Sequence, residues 1–81
     1  MESWRPAEVF PPGDYIKEEM EARDWVQQDL ADILGKTVAG VNELISGKRS
    51  VTPETAQVLE QALEIDAATW LRLEATWQAA I

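Results

Sequence analysis

Neither cysteine nor histidine occurs among the 81 residues of this chain. The first absence excludes disulfides and thiolate metal sites, and it suits a reducing cytoplasm. The second removes imidazole, the commonest general base and a usual zinc ligand. Carboxylates are plentiful, but no D-x-[DN]-x-[DN]-G run arranges them as a calcium loop. No metal, cofactor or catalytic residue is therefore expected, and the chain does not read as an enzyme. Long apolar runs are missing as well, none approaching the roughly twenty residues of a membrane helix. The opening MESWRPAEVF is acidic and broken by proline, unlike a signal peptide. A cytoplasmic protein with no membrane contact is the expectation.

Cations are scarce too. Seven Lys and Arg stand against fifteen Asp and Glu, a formal charge of −8. Such a chain repels nucleic acid at long range. The charge is unevenly spread, however. Lys36, Lys48 and Arg49 gather in one stretch, while most acids lie within residues 14–24 and 54–74. A local basic edge on an acidic body is compatible with that distribution. A chain of this length forms one domain with a modest core, to which a dimer or a partner would add stability.

What the chain does have is helical periodicity. Residues 1–12 hold three of the four prolines and read as an N-terminal arm, which Trp4, Val9 and Phe10 would fold back onto the body. A first helix is expected over Asp14 to Arg23, with Ile16 and Met20 inward and the two terminal charges complementing the helix dipole. A second begins between Asp24 and Gln27, where the D-x-x-Q spacing suggests a capping box. It would turn Val26, Leu30, Ile33 and Leu34 inward and stop at Gly35 in the left-handed region. Thr37 caps a third, with Val38, Val41, Leu44 and Ile45 at helical spacing and Gly47 at its end. Thr52-Pro53-Glu54 starts a fourth, with Ala56, Leu59 and Leu63 inward. Asp66 caps a fifth, whose Trp70, Leu73, Trp77 and Ile81 share one side. Trp70 and Leu73 are expected in the core, Trp77 and Ile81 at a two-fold dimer interface. Residues 13–81 thus form an all-α domain of five helices.

Two short helices joined by a glycine-centred turn, followed by a polar loop with two adjacent cations, make the pattern of a helix-turn-helix over about residues 26–46. Gln27-Gln28-Asp29-Leu30-Ala31 with Leu34-Gly35, and the run Val41-Asn42-Glu43-Leu44-Ile45-Ser46-Gly47-Lys48, resemble the XRE-type helix-turn-helix family. Pro12-Gly13-Asp14, Val51-Thr52-Pro53-Glu54-Thr55-Ala56 and Thr69-Trp70-Leu71 narrow the likeness to the HigA (VapI-like) antitoxins, over about residues 11–78. The resemblance implies a five-helix, lambda-repressor-like fold. It also implies a homodimer that binds operator DNA, represses its own operon and neutralises a HigB-type mRNA-cleaving toxin. Three positions depart from the family pattern. Val26 stands where Ser or Thr usually caps the second helix, Gly40 replaces a larger polar residue, and Lys36-Thr37 replaces Val-Ser.

With the third helix in a major groove, Thr37, Ala39, Gly40, Asn42 and Glu43 would face base edges. Asn42 suits adenine, Thr37 and Ala39 a thymine methyl, and Glu43 the N4 amine of cytosine. No arginine is there for guanine, so a weak or A·T-leaning preference follows, with shape contributing. Lys36, Lys48 and Arg49 are the expected phosphate contacts, and the resemblance adds Gln27 at the start of the second helix. Two other functions fit the same residues. One is a protein-interaction module that keeps the shape without DNA affinity. The other is the N-terminal regulatory domain of a metallopeptidase-like protein of the ImmA/IrrE type.

Overall fold

Five α-helices and their connecting turns make up residues 10–80, the part of the chain that this computed structural model describes. Helix α1 spans Pro12–Ala22, α2 Gln27–Leu34, α3 Val38–Ser46, α4 Pro53–Leu63 and α5 Ala67–Ala80. No strand occurs among the described residues, so the all-α, five-helix expectation holds. Nor, among these residues, is any helix long and apolar enough to cross a membrane. Trp4, Val9 and Ile81 lie outside the described residues. Phe10, expected to fold back, is 44% exposed.

The helices begin and end for local reasons. Helix α1 starts two residues before Asp14, with Pro12 at its first position. The ring presets a helical φ there and the missing N–H leaves no intrahelical bond unmade. At its other end the Trp25 amide donates to the Met20 carbonyl at 2.9 Å and the Asp24 amide to Glu21 at 3.1 Å. That is a Schellman closure, with Asp24 at φ 58° in the position glycine usually takes. Asp24 therefore ends α1 and does not cap α2, contrary to the expected D-x-x-Q box. The N-cap of α2 is Val26, and its amide donates to Asp29 Oδ2 at 2.9 Å. Only that half of a box exists, because valine has no acceptor to offer in return. Glycines close the next two helices as expected, Gly35 at φ 67° and Gly47 at φ 83°. Thr52 caps α4 by accepting from the Thr55 amide at 3.2 Å. At the start of α5 the Ala67 amide donates to a Glu60 carboxylate oxygen at 2.9 Å.

The core gathers Ile16 and Met20 from α1, Leu30, Ala31 and Leu34 from α2, and Val41 and Leu44 from α3. Val51, Ala56, Leu59, Leu63 and the wholly buried Trp70 complete it. Each large side chain buried in this way contributes about 1.5–3 kcal/mol. Two inward expectations fail: Val26 is 63% and Ile33 45% exposed. The buried arc of α2 centres on Leu34, and both residues fall roughly 80–100° round the helix from it. On α5, Leu73 and Trp77 are half-buried below Trp70.

Gly13 fixes how α1 meets α3. A Cβ there would lie 2.6 Å from the Leu44 carbonyl oxygen and closer still to that of Ile45. The two backbones touch where no side chain fits between them. With α2 packed on its other flank, α3 is held from both sides.

Candidate nucleic-acid interface

The turn from α2 to α3 is built from two local preferences. Gly35 takes the left-handed conformation, and the Lys36 amide donates to the Ala31 carbonyl at 2.9 Å. Two residues later Thr37 is extended and accepts from the Gly40 amide at 3.0 Å through its Oγ1. Helix α3 then buries Val41 and Leu44, which leaves Ala39, Asn42 and Ser46 exposed along the opposite stripe. Thr37 is exposed at the head of that stripe, and Gly40 and Glu43 are half-buried at its edge. All five expected base-edge positions therefore share the outer side of one helix. Ser46 belongs to the same surface and was not singled out from the sequence, while Val38, expected in register with the buried Val41 and Leu44, is 39% exposed there. Spacing of i, i+3 and i+7 from Ala39 and Asn42 would have found Ser46.

On one side of α3, a groove of about 470 Å³ is lined by Lys17, Trp25, Val26, Gln27, Asn42 and Ile45, among others. It brings Gln27, at the first turn of α2, together with Asn42. It also adds Lys17 from α1, a cation nothing in the sequence connects to this region. On the other side, a cleft of about 310 Å³ holds Lys36 and Arg49 with Ser50, Thr52 and Glu54. In sequence these two cations bracket α3, one before it and one after. They share a cleft because the chain doubles back after Gly47, where the Lys48 and Arg49 amides donate to the Glu43 carbonyl at 2.9 and 3.2 Å. Lys48 is exposed beside them.

The carboxylates are also placed. Glu43 Oε1 accepts from Arg49 Nη2 at 2.6 Å and from Nε at 3.1 Å. Asp32 accepts from Gln28 Nε2 at 2.8 Å, and Asp29 is used at the start of α2. Arg23 belongs to the fold, since it pairs with Glu19 at 2.6 Å, donates to the Leu63 carbonyl at 3.1 Å and lies 5.7 Å from the Trp25 ring centre. Among the described residues no cluster of carboxylates has the makings of a metal site.

Comparison with known proteins agrees with this architecture. The model of the helix-turn-helix family matches residues 16–70. An addiction module antidote protein of the HigA family from Coxiella burnetii is similar at 26% identity and a TM-score of 0.83, covering 89% of this chain and 79% of that one. A candidate antidote protein of a plasmid maintenance system from Nostoc punctiforme PCC 73102 is similar at 30% identity and a TM-score of 0.80, covering 91% and 85%. Antitoxin HigA of Pseudomonas aeruginosa, solved with the higBA promoter, shares the fold at 22% identity and a TM-score of 0.83, covering 90% and 80%. No curated protein matches the chain.

Proposed function

This chain belongs to the helix-turn-helix family, and on that footing we propose that it is a DNA-binding antitoxin of the HigA type. It would bind its own operator as a homodimer, repress its operon and neutralise a HigB-type, mRNA-cleaving toxin. The observation that carries DNA binding is the exposed stripe of α3 set between two flanks that can take phosphate. Asn42 and Ala39 lie on that stripe, Gln27 and Lys17 on one side, Lys36 and Arg49 on the other.

Asn42 would pair with adenine and Ala39 would touch a thymine methyl. Thr37 caps α3 through its oxygen and would offer its methyl group. Gly40 would let the backbone of the first turn come close to the duplex. Gln27 and the first amides of α2 would hold one phosphate, and Lys36, Lys48 and Arg49 others. Trp77 of α5, together with Ile81, would make the two-fold contact that sets two half-sites about 34 Å apart.

A gel shift with the DNA upstream of the gene, at low salt, tests the proposal. Wild-type protein should shift that duplex and not a scrambled one. Lys48→Glu with Arg49→Glu should weaken the shift by roughly tenfold or more. Failure of the wild type to shift its own upstream DNA would remove the proposal. Toxin neutralisation is checked separately, by growth rescue when the chain is co-expressed with the neighbouring toxin gene.

A second reading is favoured by one observation: Glu43 neutralises Arg49, a cation the interface needs. In it, the acidic body binds a basic protein and DNA affinity is lost. Co-purification with that protein would then survive the double charge reversal, and no operator would be found.

A further inference from the structure

Glu43 grips Arg49 twice. Its carboxylate accepts from the guanidinium at 2.6 and 3.1 Å, both at Oε1. Its backbone carbonyl accepts from the Lys48 and Arg49 amides at 2.9 and 3.2 Å. The side chains remain 43% and 55% exposed, so the pair stands on the surface and not in the core. A pair this exposed adds little to folding. Its effect is geometric: it takes a long, flexible side chain in a loop and holds it in one orientation, beside Lys36 in the same cleft.

We infer that Glu43 is a positioning residue for phosphate binding by Arg49, and not a reader of a base. The inference rests on the DNA-binding proposal and assigns Glu43 a different part in it. A guanidinium carries five N–H donors in a rigid fork. Glu43 takes the edge formed by Nε and one Nη2 hydrogen, which leaves the remaining donors for a phosphate oxygen. Lys36 lines the cleft as a second charge for the same strand. Ser50 adds a hydroxyl donor beside it. A carboxylate so near a duplex repels it when unpaired. Glu43 is therefore favourable only through Arg49, and that dependence distinguishes positioning from base contact and from plain repulsion.

The test is a double-mutant cycle on the full chain, with Glu43→Ala, Arg49→Ala and both together, read as affinity for the operator the wild type shifts. A panel of duplexes with each half-site base pair substituted in turn runs alongside. Glu43→Ala should weaken binding about three- to tenfold despite removing a negative charge, and in the Arg49→Ala background it should leave affinity unchanged or raise it. The order of preference among the substituted duplexes should not change. Glu43→Gln keeps an acceptor for Arg49 and should retain most of the affinity. Melting curves of all variants should superimpose within a few degrees, given how little an exposed pair stabilises. Tighter binding by Glu43→Ala in the wild-type background overturns the inference, as does an equal loss in both backgrounds. Relaxed discrimination at one base pair overturns it as well, because Glu43 then reads sequence. If the wild type shifts no operator, DNA binding itself fails, a result distinct from an additive cycle.

Discussion

Gly40 sits in the first turn of α3 without any steric need to be glycine. A Cβ there would meet Thr37 Oγ1 at 3.4 Å and Lys36 Cβ at 3.8 Å, which is ordinary contact. Glycine in a helix costs about 0.5–1 kcal/mol relative to alanine. Gly40→Ala should therefore stabilise the protein by about that amount, measured as a raised urea midpoint with unchanged slope. Operator affinity should fall in the same variant, because an added methyl on the outer side keeps the backbone from the duplex. Unchanged affinity would show that the glycine has no part in binding. Thr37, two residues before the bare stretch, is a different case: its oxygen is used on the Gly40 amide, so its contribution to recognition is confined to what the methyl can touch.

Among elements, the contact between α1 and α3 sets how the outer stripe is presented. Gly13 allows it by bringing backbone against the Leu44 and Ile45 carbonyls. Gly13→Ala forces the two helices apart at atoms that cannot rotate away, and overpacking of that kind costs about 1–3 kcal/mol. A lowered urea midpoint would be the readout; an unchanged one would mean that α1 shifts freely on α3. Much at this scale was legible from residues alone. Thr52-Pro53-Glu54, Thr37, Gly35 and Gly47 carry local signals whose chemistry is complete within four or five residues, and the boundaries they predict are those observed. Helix α2 starts at Gln27, within the expected range, but its cap differs from the D-x-x-Q expectation because two signals competed there. Asp24 looked like a cap until its left-handed φ assigned it to the end of α1, and Asp29 then supplied the bond to Val26. That the candidate base-edge positions share one side of α3 was legible, since it follows from helical period. The Lys36–Arg49 cleft and the Glu43–Arg49 pair were not, because they depend on the direction in which the loop after Gly47 turns back. Gly13 was legible only as a residue near a helix start, since its reason lies some thirty residues along the chain at Ile45.

For the molecule as a whole, charge governs what happens at a duplex. Each neutralised phosphate contributes a slope of about −0.9 to log affinity against log salt, so Lys36, Lys48 and Arg49 together give roughly −3 per protomer. A salt series on the operator complex of the proposed homodimer should return about twice that value. A slope several units steeper would mean that cations outside this set reach the backbone. The remaining surface is dominated by carboxylates, from Glu18, Glu19 and Glu21 on α1 to Glu54 and Glu60 on α4, and the net charge is −8. A net charge of this sign repels a duplex at long range. In the proposed DNA-binding role, only the face that carries Lys36, Lys48 and Arg49 would be tolerated near a polyanion, and stray DNA or RNA would offer little foothold. Occupancy of the proposed operator would then stand out less by strength of grip than by reluctance to rest anywhere else.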